Sequence, residues 1–221
     1  MDLAGTLVPL ALVVGLSPLP IRPVVLILMT PRARANSAAF LGAWLVALSA
    51  LVVVATLVTG SQDPAPPDEV GIGWIQVVTG GVFLALAAAK WLRRPKPGAT
   101  KEPPAWMSAL GSYTPRQSAR LGAALAAGNP KNLLMALAGG AEIATLTRST
   151  PAALAGVALF VVVGSIGVGT PVVAHRALGE RAEEMLGGWK TWLEANSTAL
   201  AVGVLVVLGT VLLVRGLTAA L

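Results

Sequence analysis

The sequence contains no cysteine and a single histidine, His175, in 221 residues. The lack of cysteine excludes disulfides, cysteine-based zinc sites and thiol catalysis. One histidine cannot build a histidine-rich metal site. Neither a GxxxxGK[ST] nor a GxGxxG motif is found in a strand-to-helix context, which argues against a nucleotide-driven pump. No Ser/His/Asp set stands out, so an enzyme is the least favoured class, and we expect neither a metal nor another cofactor.

Charged residues are also scarce, at 12% of the chain, against about 25% in ordinary soluble domains. Hydrophobic residues make up 55%, and long segments carry almost no charge. This pattern predicts an integral membrane protein. The net charge of +6 comes from bases near the ends of apolar segments. Because no basic stripe is interleaved with aromatic residues, we expect no nucleic-acid partner.

Six apolar segments are each long enough to cross a membrane as a helix, which takes about 20 residues. They are residues 3–29, 38–60, 72–92, 119–146, 152–174 and 198–214. The predicted fold class is therefore an all-α integral membrane protein with six transmembrane helices.

The distribution of lysine and arginine predicts the orientation. One side of the membrane would carry only two bases outside the spans, Arg148 and Arg215. The opposite side would carry eleven: Arg32, Arg34, Arg93, Arg94, Lys96, Lys101, Arg116, Arg120, Arg176, Arg181 and Lys190. The positive-inside rule places this larger set in the cytoplasm. We expect a multi-pass protein of the plasma (inner) membrane with both termini outside.

The two halves of the chain resemble each other weakly. Ser17-Pro18 aligns with Asn129-Pro130, and residues 38–42 align with residues 152–156. Because three spans form each half, the second copy would be inverted across the membrane, as in many secondary transporters. We predict a first repeat at 1–92, a basic, proline-rich cytoplasmic loop at 93–118 and a second repeat at 119–221. An amphipathic segment is expected at about 176–195.

Prolines coincide with polar residues inside the first and fourth predicted spans. A proline in a helix interior removes a backbone hydrogen bond, and in lipid the freed carbonyl needs another partner. We therefore predict that proline breaks helices 1 and 4, and that substrate binds near the midplane between the two breaks. The candidate substrate-binding residues are Ser17, Pro18, Pro20, Arg22, Asn129, Pro130, Lys131 and Asn132.

Two of these candidates, Arg22 and Lys131, are cations inside predicted spans. Together with a helix N-terminus they would favour an anionic or strongly polar group. The alternative is that they extend to the nearer membrane interface.

Glu142 is the only acid well inside a predicted span. It is the candidate for proton coupling, and its alternative is an interfacial position near Arg148.

Small residues and tryptophans are interpreted as packing and anchoring features. The small residues that would allow close helix packing include Ala38, Gly42, Ala152, Gly156, Gly164, Gly167 and Gly169. The six tryptophans fall mainly near predicted span ends or in cytoplasmic loops, which predicts interfacial anchoring.

The six spans, the early proline-rich break, the basic central loop and Gly128-Asn129-Pro130-Lys131 resemble the lysine exporter (LysE) superfamily. The alanine, valine and glycine bias is similar above all to its glycolipid-addressing branch, the peptidoglycolipid- and sulfolipid-addressing proteins (GAP/Sap) of actinobacteria. Gly15-Leu16-Ser17-Pro18 departs from the Gly-Pro-x-Pro-Gly pattern of amino-acid exporters, which argues against an amino-acid substrate. The resemblance implies export of small solutes or, for the closer branch, of cell-envelope glycolipids.

Three functions stay open at this point. The leading hypothesis is an exporter that translocates a glycolipid or lipid-linked polar substrate through the midplane breaks. The second is a proton-coupled exporter of amino acids or other small metabolites. The third is a non-transporting membrane scaffold of a lipid-export machine. The expected partners are membrane lipids, a polar or anionic substrate such as a glycolipid, and either further copies of the chain or lipid-export machinery.

Overall fold

The computed structural model describes residues 3–60, 69–93, 112–147, 149–178 and 181–220. Within these ranges the chain is helical and contains no strand, so the predicted all-α class is confirmed for them. The helices are α1 Leu3–Gly15, α2 Pro18–Leu28, α3 Ala33–Gly60, α4 Glu69–Leu92, α5 Pro115–Ala127, α6 Pro130–Leu146, α7 Thr150–Gly164, α8 Ile166–Leu178 and α9 Arg181–Ala220.

Two helical stretches are long and apolar enough to cross a membrane by themselves: Ala33–Gly60, and Thr198–Thr218 within α9. Two further pairs would each cross as one bent span. These are α1 with α2, bent by 54°, and α7 with α8, bent by 68°. The described residues thus provide up to four spans by length and composition, and they agree with a membrane-embedded protein.

The chain divides into two compact units. The first comprises Met1–Gln62 and Glu102–Leu193, and the second comprises Asp63–Lys101 and Glu194–Leu221. All the candidate site residues belong to the first unit. In the second unit, α4 and α9 approach each other at Gly80 and Gly209.

The core of the first unit is built on α3. Phe40, Trp44, Leu48 and Val52 recur every four residues on this helix and are fully buried. Residues at this spacing lie on one side of a helix, so they form a single apolar stripe. Helices α2, α5, α6, α7 and α8 pack against α3.

Helices α5 and α6 follow α3 in the same direction. The side-chain amide of Asn36 donates to the carbonyl of Tyr113 at 2.8 Å, just before α5 begins. Further along, Gly122 contacts the backbone of Phe40. Near the other end of α3, Gly60 lies beside Ala144 of α6. The broken pair α5–α6 therefore runs parallel to α3 over most of its length.

Helices α1 and α7 form a second parallel pair. At the start of α1 and in the middle of α7, a Cβ on Gly156 would lie 3.4 Å from the side chain of Leu3. Near their ends, a Cβ on Gly164 would lie 3.6 Å from the carbonyl oxygen of Ala11. The contacts advance together along both helices, so the two run in the same direction.

Proline begins helices at the two predicted breaks. Pro18 and Pro130 each occupy the first turn of a helix, after the N-cap residues Ser17 and Asn129. Proline suits this position because the amide it lacks would have no partner within the helix. The predicted breaks in the first and fourth apolar segments are confirmed, and each interrupts the helix at two residues. Pro20 lies inside α2.

Three boundaries differ from the predictions. The fifth apolar segment was expected to be one helix, but it is broken at Ser165. The loop predicted at 93–118 ends earlier because the capping box of Thr114 and Gln117 starts α5 at Pro115. Of that loop, residues 94–111 lie outside the described part. The described residues of the amphipathic segment predicted at about 176–195 are helical, but α9 continues directly into the last apolar segment.

Candidate functional site: a junction of three helix breaks

The first break leaves a backbone carbonyl available at the end of α1. The amide of Leu16 donates to the carbonyl of Leu12 at 2.8 Å, and the amide of Ser17 donates to that of Val14 at 3.2 Å. In a continuous helix the amide of Ser17 would instead serve the carbonyl of Val13. Because the chain turns at this point, the Val13 carbonyl is released from the helical pattern and needs another donor.

The side chain of Lys131 supplies that donor. Its Nζ donates a hydrogen bond to the carbonyl oxygen of Val13. A cation at a helix C-terminus is also favoured by the partial negative charge of the last carbonyls. Lys131 lies in the first turn of α6, so this hydrogen bond joins the second break to the first.

The second break is held by side-chain amides. Oδ1 of Asn129 accepts from the backbone amide of Lys131 at 3.1 Å and so caps α6. Asn132 is fully buried, and its Nδ2 donates to the carbonyl of Leu125 in α5 at 3.1 Å. Its Oδ1 is buried and has no hydrogen-bond partner among the described residues. A buried acceptor without a donor lowers the stability of the fold. A hydroxyl group or a water molecule would supply such a donor.

The third break packs directly on the first. A Cβ on Gly15 would lie 2.6 Å from the carbonyl oxygen of Val163, and a Cβ on Gly167 would overlap the carbonyl oxygen of Gly15. Only glycine allows two backbones to approach so closely. We call the three connected breaks, residues 13–18, 128–132 and 163–167, the break junction.

A buried hydrogen bond fixes the third break to α3. Nε1 of Trp44 donates to Oγ of Ser165 at 3.1 Å, and both side chains are buried. Trp44 was expected to anchor the protein at a membrane interface, and this expectation is wrong. Its position in the middle of the buried stripe of α3 places it at the break junction instead.

The structure brings most of the candidate residues to the break junction. Those that lie within it are Ser17, Pro18, Asn129, Pro130, Lys131 and Asn132. Arg22 is half-buried on α2, five residues after Ser17, which corresponds to about 7.5 Å of helix rise. Glu142 is half-buried on α6, about 16 Å along the helix from Lys131.

Four residues of the break junction or its support were missed as site residues: Gly15, Trp44, Ser165 and Gly167. The available signal was the segment Gly164-Ser165-Ile166-Gly167, where small residues surround a hydroxyl inside an apolar run. This segment was interpreted as a packing surface, and Gly164 and Gly167 do pack closely. Gly42 was also assigned to packing, but a Cβ on it would meet no neighbour within 4 Å among the described residues.

Helices that are long and apolar enough to cross a membrane are typical of a helical integral membrane protein. The model of one protein family, described as Sap, sulfolipid-1-addressing protein, matches residues 7–218 of the chain. The chain belongs to this family, and the predicted relation to the glycolipid-addressing branch is confirmed. The match includes all three breaks and links the protein to lipid export. Searches of curated proteins and of solved structures found no match to the chain.

Proposed function

We propose that the protein is an inner-membrane exporter of the LysE type that translocates a cell-envelope glycolipid or lipid-linked polar substrate through the break junction. The observation that carries the proposal is the position of Lys131. Its ammonium lies between helix breaks and contacts a backbone carbonyl from a distant part of the chain. Intramembrane charges are rare and commonly mark transport pathways.

The proposed exporter consists of two inverted three-helix repeats, and the packing of the first unit agrees with this for the first two spans of each repeat. In a six-span topology, spans two and four run in one direction, and spans one and five run in the other. The parallel contacts of α3 with α5–α6 and of α1 with α7 agree with this arrangement. A pseudo-two-fold axis would exchange these two pairs, because it exchanges span one with four and span two with five.

In the proposed binding step, the ammonium of Lys131 forms hydrogen bonds to the substrate headgroup. An ammonium has three donors, and the structure shows one of them on Val13. An anionic or hydroxyl-rich headgroup would take the remaining donors or replace the Val13 carbonyl. Oδ1 of Asn132, which is buried and has no partner among the described residues, would accept from a substrate hydroxyl once the break junction opens. Replacing the Val13 contact would release the end of α1, so binding would be coupled to movement at the first break.

A lipid cargo is favoured over a proton-coupled small metabolite. Lys131 is held by a backbone carbonyl, and Glu142 lies about 16 Å away along the same helix. Lys131 and Glu142 are therefore too far apart along α6 to pass a proton directly from one to the other. Glu142→Gln is expected to leave export unchanged under this proposal. Loss of export in this variant would favour the proton-coupled alternative.

Comparative lipid profiling tests the proposal. Cells without the protein should accumulate a polar lipid on the cytoplasmic side and lose it from the envelope, and wild-type protein should restore it. A scaffold is distinguished by deleting residues 95–110, which spares the Thr114–Gln117 capping box. Normal envelope lipids with this deletion would argue against the scaffold. An unchanged lipid profile in cells without the protein would overturn lipid export.

A further inference from the structure

An open groove lies beside the third break, on the outside of the first unit. It has a volume of about 440 Å³, within the range of about 300–1,000 Å³ that is usual for small-ligand sites. Helix α3 contributes Leu41 and Leu45, and the broken pair α7–α8 forms the opposite wall. The lining residues on that wall are Val162, Ser165, Ile166, Gly169, Thr170, Val173 and Ala174.

The polar groups of the groove are occupied within the protein. Oγ of Ser165 accepts from Trp44. Oγ1 of Thr170 donates to the carbonyl of Ile166 at 2.6 Å, which turns the hydroxyl toward its own helix. The surface left to a ligand is therefore almost entirely hydrocarbon. A sugar or phosphate would gain little there, whereas an apolar chain would lose no hydrogen bonds on entering.

The dimensions of the groove match one acyl chain. The lining of α8 extends from Ile166 to Ala174, which corresponds to about 12 Å of helix rise. This is close to half of the roughly 30 Å hydrocarbon thickness of a bilayer, the depth that one lipid tail occupies. Val162 is 65% exposed and Val173 is 63% exposed, so the groove can be entered from the side.

The groove reaches the break junction at one residue. Ser165 lines the groove and also belongs to the third break, where Gly167 meets Gly15. Gly15 follows Val13 by two residues, and Val13 carries the hydrogen bond from Lys131. A lipid tail in the groove would thus touch the third break, which packs on the first break.

We infer that this groove binds an acyl chain of the transported lipid, while the headgroup is held at the break junction. The inference rests on the proposed lipid export and adds a subsite to it. The groove lies on the outer side of the pair α7–α8, at the point where this pair is bent by 68°. The tail enters from the bilayer side, and the headgroup passes between the helices.

Gly169 allows a specific test. Gly169 lines the groove, and a Cβ at this position would have no neighbour within 4 Å among the described residues, so Gly169→Leu is expected to fill part of the groove. The matched control is Gly42→Leu, on α3 outside the lining and equally open. The probe is a phospholipid with a photoactivatable diazirine at the end of one acyl chain. The full-length protein is reconstituted with this lipid, illuminated and mapped by mass spectrometry.

Wild type and Gly42→Leu should be labelled mainly within residues 162–174, and labelling there should fall about tenfold in Gly169→Leu. Uniform labelling of apolar faces, including the exposed Val54 and Val58 of α3, would indicate bulk lipid and overturn the subsite. Because the chain lacks cysteine, Val173→Cys introduces a single thiol. Efficient disulfide-linked dimers of this variant would assign the groove to a second copy and also overturn it.

The two proposals fail separately. If the groove is not labelled but cells without the protein still lose an envelope lipid, the acyl subsite is wrong and lipid export stands. If the groove is labelled as expected but the lipid profile of those cells is unchanged, the groove binds a lipid tail and the proposed export is wrong.

Discussion

The ammonium of Lys131 donates a hydrogen bond to the carbonyl oxygen of Val13, although the two residues are 118 positions apart in the chain. The bond exists because the first break frees that carbonyl and the second break places Lys131 at the start of α6. Two interruptions that look separate in the sequence therefore form one polar contact. With the third break packed on Gly15, they make the break junction a single structural feature.

The contact between the first and third breaks should tolerate no side chain. Gly167→Ala places a methyl group against the carbonyl oxygen of Gly15 and should cost about 1–3 kcal/mol of stability. The matched variant is Gly169→Ala, two residues away, where the methyl group meets nothing within 4 Å. Unfolding of both purified proteins in detergent by increasing SDS measures the difference. Equal stability of the two variants would contradict the close packing.

The parallel crossing of α3 and α5 should show the same sensitivity. A Cβ on Gly122 would overlap the carbonyl of Phe40, so Gly122→Ala is expected to destabilise the protein by about 1–3 kcal/mol. Gly42→Ala, on the open side of α3, should not destabilise the protein and should stabilise it by up to about 1 kcal/mol, because alanine favours a helix interior over glycine. The comparison uses the same SDS titration. A larger effect at Gly42 would show that α3 presents its other side to α5.

The hydrogen bond between Trp44 and Ser165 should be visible in a double-mutant cycle. Ser165→Ala leaves a buried indole N–H without an acceptor and should cost about 1–3 kcal/mol. Trp44→Phe removes the donor as well as part of the ring. If the bond is present, the double variant should be more stable than the sum of the two single effects implies. Strict additivity would show that the two side chains do not interact.

The orientation of the chain can be tested with fusions. The positive-inside rule predicts that the C-terminus is outside and that the basic segment around residue 98 is cytoplasmic. A reporter that is active only in the cytoplasm should be inactive after Leu221 and active after Gly98. Strong activity at the C-terminus would overturn the predicted orientation.

The sequence predicts the breaks in the first and fourth apolar segments because proline has one unambiguous effect on a helix in lipid. Pro18 and Pro130 lack an amide, so each must begin a helix or interrupt one. The sequence also predicts that Lys131 is special, since a charge so far from a span end is rare. Both predictions follow from local chemistry, without knowledge of which helices touch.

The break at Ser165 could not be predicted in the same way. Residues 162–169 contain no proline, and Pro171 lies inside α8 instead of at the first turn of a helix. The small residues around Ser165 are equally compatible with a straight, closely packed helix. The bend coincides with contacts to two other helices, since Gly15 of α1 approaches Gly167 and Trp44 of α3 donates to Ser165. The position of Trp44 was misjudged for a related reason. Its burial depends on the tertiary packing of α3, whereas the sequence shows only an apolar residue near a segment end.

If Lys131 at the break junction binds the headgroup of an exported lipid, export should depend on its side chain. A complementation experiment measures this dependence. Cells lacking the protein receive wild type, Lys131→Met, Lys131→Arg or the control Lys90→Met, which removes an exposed lysine of α4. Envelope lipids are then quantified at equal amounts of folded protein in the membrane. We expect loss of the exported lipid with Lys131→Met, partial export with Lys131→Arg and normal export with Lys90→Met. Normal export with folded Lys131→Met would contradict this expectation.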